Sequence, residues 1–254
     1  MIELRTPAEI DEMRAAGTFV AGVLTELAAA SAVGVNLLKL DAIAADLIRT
    51  AGAVSCYVDY HPSFGAMPFG KVLCTSVNDA ALHGLPHDYR LRDGDVISLD
   101  FAASVGGWVA DSAVTVIVGT PRDEDLRMIE VTERALAAGI AASRVGGRMG
   151  DVSAAIGAVC HEAGFSVNTD FGGHGVGHTM HGDPHVPNDG RPGRGFPLRA
   201  GLVFAIEPWL MQTTDRIFTD PDGWTLRSLD GSRAAHSEHT IAITDDGPVV
   251  LTAR

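Results

Sequence analysis

Cysteine, long apolar runs and signal segments are scarce or missing in this chain, and each scarcity excludes a class of protein. The 254 residues include three cysteines, Cys56, Cys74 and Cys160, with no CxxC pair, which argues against a disulfide-bonded secreted fold. No apolar run approaches the roughly 18 residues that a membrane span needs, and the acidic N-terminus is not a signal peptide. We therefore predict a cytoplasmic protein with no membrane partner.

Basic side chains are also few. The chain has 19 Lys and Arg against 32 Asp and Glu, which gives a formal net charge of −13. A surface of this sign repels phosphate backbones, so nucleic acid is not predicted as the principal partner. Apolar residues make up 46% of the chain, which is ample for a full hydrophobic core.

One ten-residue pattern occurs twice. Residues 91–100 read LRDGDVISLD and residues 198–207 read LRAGLVFAIE, so each copy has a glycine turn, an apolar run and a final carboxylate. A carboxylate at the end of a buried strand is costly unless a positive charge meets it. The repeat therefore predicts a duplicated fold whose two halves bring Asp100 and Glu207 together around a metal.

Helix signals are also repeated. Thr6 and Glu9 form a capping box with Pro7 at the first helical position, and a second helical pattern covers about 37–51, ending at Gly52. Thr120–Pro121 repeats the opening signal, which predicts a third helix over about 121–143, with Leu126 on its apolar side, and a fourth over about 150–163. Strand-like segments follow each helix pair. We therefore predict an α/β (α+β) fold in one domain, residues 1–254, with pseudo-twofold-related halves of about 1–119 and 120–254.

Two further acids belong to a predicted hairpin. Asp100 and Asp111 flank a segment that could turn at Val105–Gly106, which would place them directly opposite each other with Cβ atoms about 4.5–5.5 Å apart. Two such carboxylates repel each other unless one holds a proton or a cation lies between them. The alternative is that they are unrelated acids at the exposed end of a hairpin.

The second half supplies nitrogen ligands. The segment GGHGVGHTMHGDPH contains His174, His178, His181 and His185. Its many glycines make a helix improbable, so it is predicted to be extended or looped, and not all four histidines can face one site.

Charge favours two metal ions rather than one. Asp100, Asp111, Glu207 and Glu238 would bring four negative charges to one buried centre, which two divalent cations neutralise. Oxygen ligands with one imidazole suit Mn²⁺, Fe²⁺ or Co²⁺ at least as well as Zn²⁺.

These residues, in this order, resemble the type I methionine aminopeptidases. The likeness runs from MIELRTPAEIDEM to DGPVVLT and includes His83 in ALHG, Asp100 in SLDF, Asp111 in ADSAVT, His174 in GGHGVGH, His181, Glu207 in AIEPW and Glu238 in SEHT. The fold that the resemblance implies is the pita-bread (creatinase/aminopeptidase) fold, a central antiparallel sheet covered by helices.

The resemblance also implies the roles of these residues. Asp100 would chelate one divalent ion, His174 and Glu207 the other, and Asp111 and Glu238 would bridge both. The implied activity is a metallopeptidase that removes the N-terminal methionine from peptides and nascent proteins, preferably before a small second residue. Glu207 would accept a proton from the attacking water, while His83 and His181 would contact the carbonyl and the scissile amide. A monomer and a contact with the ribosome are the implied assembly and partner.

The implied methionine pocket is lined by Phe69, Cys74, Met180 and Trp224, whose soft and aromatic groups suit a thioether. The chain departs from the family's pattern at Val109, His178, Met180 and Gly182. Because residues near a metal site tune it, these departures put turnover, metal preference and pocket shape in question.

Two other functions are compatible with the same residues. One is an aminopeptidase of the prolidase type that cuts before proline, although such enzymes carry an additional N-terminal domain. The other is a catalytically weak paralogue that only binds peptides, which would be expected to have lost ligands. A type II methionine aminopeptidase is excluded, because Glu207 follows His181 by 26 positions and leaves no space for that group's helical insertion.

Overall fold

The first helix begins at the predicted capping box. In the computed structural model, which describes residues 2–62 and 67–254, the Glu9 amide donates to the Thr6 hydroxyl and the Thr6 amide donates to the Glu9 carboxylate. Helix α1 (Pro7–Ala30) is followed by α2 (Leu37–Ala51), which ends at Gly52 in the left-handed conformation (φ 63°), as predicted. None of the helices in the described residues is long and apolar enough to cross a bilayer.

The second helix pair differs in detail from the prediction. Helix α3 (Asp123–Ala142) begins two residues later than expected, and α4 (Met149–Glu162) occupies its predicted position. The assignment of Leu126 to the buried side of α3 was wrong, since Leu126 is 48% exposed. Asp125 points inward instead, because Arg122, Gln212 and Arg233 donate hydrogen bonds to its carboxylate.

The strands of the described residues pair antiparallel in three sheets. The main sheet has the order β1-β4-β5-β13-β8-β6-β7, with β2 paired to β4 and β14 paired to β13. Helix pair and strands thus follow each other twice along the chain, as the sequence predicts. The strand bounds are Val54–Ser55 (β1), Cys74–Val77 (β2), Ala80–Leu82 (β3), Val96–Val105 (β4), Trp108–Ile117 (β5), Gly172–Gly175 (β6), Gly182–Pro187 (β7), Val203–Ile206 (β8), Trp209–Met211 (β9), Ile217–Thr219 (β10), Leu226–Ser228 (β11), Ala234–His236 (β12), Glu238–Thr244 (β13) and Gly247–Val250 (β14).

Each helix pair covers one half of the sheet. Apolar residues of α1 and α2 pack with residues of β4 such as Leu99 and Phe101, and those of α3 and α4 pack with Phe204 and Ile206 of β8. Burial of each such side chain stabilises the fold by about 1.5–3 kcal/mol. Because side chains alternate along a strand, the neighbouring residue Asp100 points to the other face, away from the helices.

The hairpin of β4 and β5 has a different register from the predicted one. Its turn is Gly106–Gly107, both with positive φ (61° and 86°), as a two-residue hairpin loop requires. Asp100 therefore pairs with Ala113, and Asp111 pairs with Ala102. The prediction that the two acids lie directly opposite each other was wrong by two residues. They are diagonal neighbours, and they still share one face of the sheet.

The two copies of the repeated pattern share their turn geometry. Gly94 and Gly201 both adopt positive φ (82° and 93°), which favours glycine at these positions. The carboxylates differ, because Glu207 follows the end of β8 while Asp100 lies inside β4. The prediction that each copy ends its strand with an acid is therefore correct only for Glu207.

Candidate active site

Five adjacent strands of the main sheet each contribute one of the predicted ligands. In spatial order across the sheet these residues are Asp100 on β4, Asp111 on β5, Glu238 on β13, Glu207 after β8 and His174 on β6. The first two come from the first half of the chain and the others from the second, so the site lies where the two halves meet.

Strand register explains why the acids converge. Asp100 and Glu238 both pair with Ala113, one from each side of β5, so all three residues lie in one row across the sheet. Asp111 is two positions from Ala113 on the same strand and therefore points to the same face. Three carboxylates are thus brought together by backbone pairing alone.

The side-chain atoms are close enough to share ions. Candidate ligand atoms lie within 4.8 Å of one another in three groups: Asp100, Asp111 and Glu238; His174, Glu207 and Glu238; and Asp111, His174 and His181. His174 Nε2 is 3.7 Å from Glu207 Oε1 and 3.8 Å from Asp111 Oδ2. These distances are too long for hydrogen bonds, and they suit two atoms that each lie about 2.0–2.2 Å from a common ion.

Burial raises the pKa of every acid in the group. The pKa of Asp100 rises to about 6 through desolvation, against hydrogen bonds from Tyr57 and Cys74 that lower it. The pKa of Glu207 rises to about 8 through desolvation and then the charge of Asp100. Desolvation, followed by the charges of the neighbouring acids, also raises the pKa values of Asp111 and Glu238 well above their ordinary range. The protein itself supplies too little positive charge for four carboxylates here.

The histidines do not supply that charge. Burial lowers the pKa of His174 to about 3 and that of His83 to about 4, so both are neutral at pH 7. Nδ1 of His174 lies 3.3 Å from the carbonyl oxygen of Gly175, to which it can only donate. Its Nε2 therefore carries a lone pair that faces the carboxylates. A lone pair directed at negative oxygens is unfavourable unless a proton or a cation lies between them.

Orphaned atoms support the same conclusion. In the part of the chain that the structure describes, Glu238 Oε1 and His236 Nε2 are buried and have no hydrogen-bond partner. His236 Nε2 lies 3.9 Å from both Glu207 Oε2 and Glu238 Oε2. Buried polar atoms without partners are rare in native proteins and commonly indicate a water or an ion. The donor set, four carboxylates with an imidazole lone pair, fits divalent cations.

A cavity of about 270 Å³ opens onto this group of ligands. All the predicted ligands line it, together with His83 and His181 and the predicted pocket residues Phe69, Cys74, Met180 and Trp224. The rings of Phe69 and Trp224 meet edge to face with centroids 5.2 Å apart. An apolar pocket and a polar cluster therefore share one cavity, which is the usual form of a small-molecule or catalytic site.

Local backbone structure positions the two additional histidines. His83 follows β3 with a positive φ of 55°, a conformation that non-glycine residues rarely adopt outside functional sites. His181 precedes β7 at the mouth of the cavity, where its Nδ1 lies 2.8 Å from the Tyr60 hydroxyl. Partial desolvation by the surrounding protein lowers the pKa of His181, and water at the mouth of the cavity opposes this shift.

The residues that depart from the family's pattern are distributed unevenly. Met180 lines the cavity, whereas Val109, His178 and Gly182 do not. His178 stacks on Trp108 with ring centroids 3.8 Å apart, outside the cavity. Of the four clustered histidines, His174, His181 and His185 line the cavity, which agrees with the expectation that not all four face the site.

Sequence reasoning missed several cavity residues. Tyr57 is the most important of these, because its hydroxyl donates to Asp100 Oδ1 at 2.5 Å. Nothing in the sequence relates Tyr57 to an acid 43 positions away. Asp170 and Phe171 directly precede the GGHG segment and could have been inferred from that position. Tyr60 also lines the cavity without a sequence signal.

Comparison with known proteins agrees with this geometry. Residues 11–245 match the profile of metallopeptidase family M24. Methionine aminopeptidase 1 of Mycobacterium tuberculosis is 43% identical over 259 residues, covering 99% of this chain and 95% of that protein. The chain belongs to metallopeptidase family M24, in its methionine aminopeptidase group. The crystal structure of methionine aminopeptidase from Rickettsia prowazekii covers this M24 chain completely, with a TM-score of 0.95 and 32% identity.

Other M24 structures share the fold at greater distance. Prolidase from Pyrococcus furiosus aligns with a TM-score of 0.75 and 19% identity over 99% of this chain. The alignment covers 65% of the prolidase chain. At this identity the likeness shows a common fold, the curled antiparallel sheet with two helix pairs that the sequence predicts.

Proposed function

We propose that this M24 chain is an aminopeptidase that removes the N-terminal methionine from peptides and proteins. The observation that carries the proposal is the single cavity in which five potential ligands from five adjacent strands meet an aromatic, sulfur-containing pocket. The name and full-length similarity of the relatives support the same substrate.

We propose that the five ligands hold two divalent cations. Asp100 would bind one cation, His174 and Glu207 the other, and Asp111 and Glu238 would bind both. Support comes from the overlapping ligand groups, since Glu238 belongs to the Asp100 group and to the His174 group. Support also comes from charge, because two divalent ions balance four carboxylates. Mn²⁺, Fe²⁺, Co²⁺ and Zn²⁺ all suit this donor set.

When bound, divalent cations supply Lewis acidity, which polarises a carbonyl and makes water a nucleophile at neutral pH. The protein's own part is proton transfer and positioning. Glu207 lines the cavity between Glu238 and His174, and its carboxylate would accept the proton of the attacking water. His83 and His181 line the same cavity and would donate hydrogen bonds to the oxyanion and the leaving amide nitrogen.

The pocket residues would select methionine. Phe69, Cys74, Met180 and Trp224 are each at most 7% exposed, so they form a dry wall beside the ligands. An unbranched thioether side chain would gain sulfur–aromatic contacts with Phe69 and Trp224. A charged or β-branched side chain would lose hydration or shape complementarity there.

Further features are proposed on the resemblance alone. They are a preference for a small second residue, nascent chains at the ribosome as substrates and a monomeric state. A cytoplasmic location is proposed from the scattered cysteines, and a single catalytic domain from the repeated helix-and-strand pattern. The strong negative charge supports the expectation that nucleic acid is not a substrate.

A peptide panel tests the proposal. The metal-depleted chain is reconstituted separately with Mn²⁺, Co²⁺, Fe²⁺ or Zn²⁺ and assayed on Met-Ala-Ser, Met-Leu-Ser, Leu-Ala-Ser and Ala-Pro. We expect release of methionine from Met-Ala-Ser to be the fastest reaction. Faster cleavage of Ala-Pro would support the prolidase alternative, and no cleavage with any cation would support the peptide-binding alternative.

A matched pair of variants tests the metal assignment. Asp111→Asn should bind fewer than two equivalents of Mn²⁺, because Asp111 belongs to two of the three ligand groups. Asp46→Asn removes a carboxylate that is 71% exposed on α2 and should leave the stoichiometry at two. Two equivalents bound by Asp111→Asn would refute the bridging role.

A further inference from the structure

Tyr57 occupies a fixed position beside the ligand group. The short strand β1 (Val54–Ser55) pairs with the end of β4, and the Cys56 amide donates to the carbonyl of Ala102. Directly afterwards the Tyr57 ring turns into the cavity, where it is 6% exposed and meets the Phe69 ring edge to face, 5.6 Å between centroids. Backbone pairing and ring packing therefore hold the phenol in place.

The Tyr57 hydroxyl contacts the two acids of the first half. It lies 2.5 Å from Asp100 Oδ1 and 3.4 Å from Asp111 Oδ1. A phenol has one proton to donate, and the shorter distance assigns that proton to Asp100. Short O–H···O⁻ distances of about 2.5–2.7 Å are typical of strong, charge-assisted hydrogen bonds.

Asp100 has a second side-chain donor. Cys74 pairs directly with Asp100 across β2 and β4, and its thiol is a hydrogen-bond partner of the same carboxylate. A carboxylate has about four lone-pair positions, so two donors still leave positions for a cation. The Asp100 carboxylate thus has two side-chain donors, the Tyr57 phenol and the Cys74 thiol.

The other end of the ligand group is built differently. His174 is oriented by a backbone carbonyl, that of Gly175, and Glu238 Oε1 has no hydrogen-bond partner in the described residues. The protein therefore supports Asp100 with a phenol and a thiol, and supports His174, a ligand proposed for the other cation, with a backbone carbonyl.

We infer that Tyr57 is a positioning residue of the proposed dinuclear centre, whose hydroxyl fixes the Asp100 carboxylate for one of the two cations and not for the other. The inference rests on the proposed function, because it requires both cations. It assigns Tyr57 a role through Asp100 and none in direct contact with the reaction. Groups that orient a ligand typically change metal affinity by about 10- to 100-fold when they are removed.

Calorimetric titration of Mn²⁺ into the metal-depleted chain tests the inference. The wild-type chain should bind two equivalents. Tyr57→Phe keeps the ring and its contact with Phe69, so we expect one binding step to weaken by about 10- to 100-fold and the other to change by less than about twofold. The matched control is Tyr60→Phe, which removes a cavity hydroxyl that contacts His181 and no carboxylate. It should leave both steps unchanged.

A double-mutant comparison separates positioning from general structural damage. In an Asp100→Asn background the phenol has lost its nearest carboxylate and keeps only the 3.4 Å contact with Asp111, so adding Tyr57→Phe should change the affinity for the remaining cation by less than about twofold. Equal weakening of both steps by Tyr57→Phe, or an additional loss in the Asp100→Asn background, would overturn the inference.

The outcomes also distinguish this inference from the proposed function. If the wild-type chain binds two Mn²⁺ equivalents and Tyr57→Phe binds both with unchanged affinity, the role of Tyr57 is refuted and the dinuclear centre stands. Fewer than two equivalents in the wild-type chain would refute the dinuclear centre, and the role of Tyr57 with it.

Discussion

Negative charge on Glu207 should destabilise the metal-free protein as the pH rises. Its pKa is about 8 in the folded chain against an ordinary value of 4.5, so the folded state holds a proton that the unfolded state has lost. A raised carboxyl pKa gives stability that is complete at low pH and is lost as the pH rises through the folded value. Between pH 6.5 and 8 this one group contributes a fall in the free energy of unfolding of about 2 kcal/mol.

The variant Glu207→Gln tests this effect, and because the Glu207 charge also raises the pKa values of Asp111 and Glu238, removing it reduces their loss of stability with rising pH in the same direction. The buried histidines act in the opposite direction, because their lowered pKa values make stability rise with pH until the unfolded histidines are neutral. Glutamine removes the Glu207 contribution and leaves the histidines, so the difference between variant and wild type cancels the histidine effect. In the presence of a chelator, Glu207→Gln should gain about 2 kcal/mol relative to the wild type between pH 6.5 and 8.

Urea unfolding at closely spaced pH values, in the presence of a chelator, measures that difference. With saturating Mn²⁺ the order should reverse, because the ionised wild-type carboxylate would then bind the cation. A difference that stays constant with pH, or that shrinks as the pH rises, would refute the reasoning that Glu207 is held protonated in the metal-free fold.

Three further results are expected. Gly17→Ala should lower the free energy of unfolding by at least about 2 kcal/mol, because its Cβ would lie 2.1 Å from the Leu251 carbonyl oxygen. Gly22→Ala, on the open side of the same helix, should raise the free energy of unfolding by about 0.5–1 kcal/mol, and chemical denaturation of both variants measures the two changes. Phe69→Ala should lower kcat/KM for Met-Ala-Ser by about 10-fold or more through lost contact with the substrate thioether, and an unchanged value would remove Phe69 from the pocket. Free Mn²⁺ at about 100 times its Kd should raise the thermal midpoint by about 5–10 °C. Equal midpoints in scanning calorimetry with Mn²⁺ and with chelator would contradict a metal site.

Sequence reasoning succeeded where the signal is local. The capping box at Thr6 and Glu9 and the glycine that ends α2 depend on contacts within a few residues, and both are present. The repeated pattern predicted two helix-and-strand halves because each copy contains its own glycine turn, at Gly94 and Gly201.

Sequence reasoning failed at the hairpin turn and at the inward side of α3. The turn lies at Gly106–Gly107 rather than at Val105–Gly106, and the Gly-Gly pair is a local signal for a two-residue turn that the prediction did not use. Leu126 was placed on the apolar side of α3 from helical spacing, but Asp125 points inward there. Arg233 donates to the Asp125 carboxylate from 108 positions away, and helical spacing does not reveal this contact.

The candidate site shows the same division. Its predicted ligands and pocket residues all line one cavity, since residue type and order along the chain limit the choice. Their roles in metal binding and catalysis stay predictions until the experiments above are done. Tyr57 was missed because a tyrosine beside a short strand has no pattern of its own, and only the folded sheet shows what it touches.

The join between the two halves of the sheet is short, and it runs through a ligand. Strand β13 meets β5 through the pairs Glu238–Ala113 and His239–Ser112. Cations bound by ligands from both halves would stabilise the pairing of β5 with β13. Ions that bind only the folded state add their binding free energy to the stability of that state. Without metal, the pairing between β5 and β13 should open before the helices unfold. Amide hydrogen exchange should therefore lose protection first in β5 and β13.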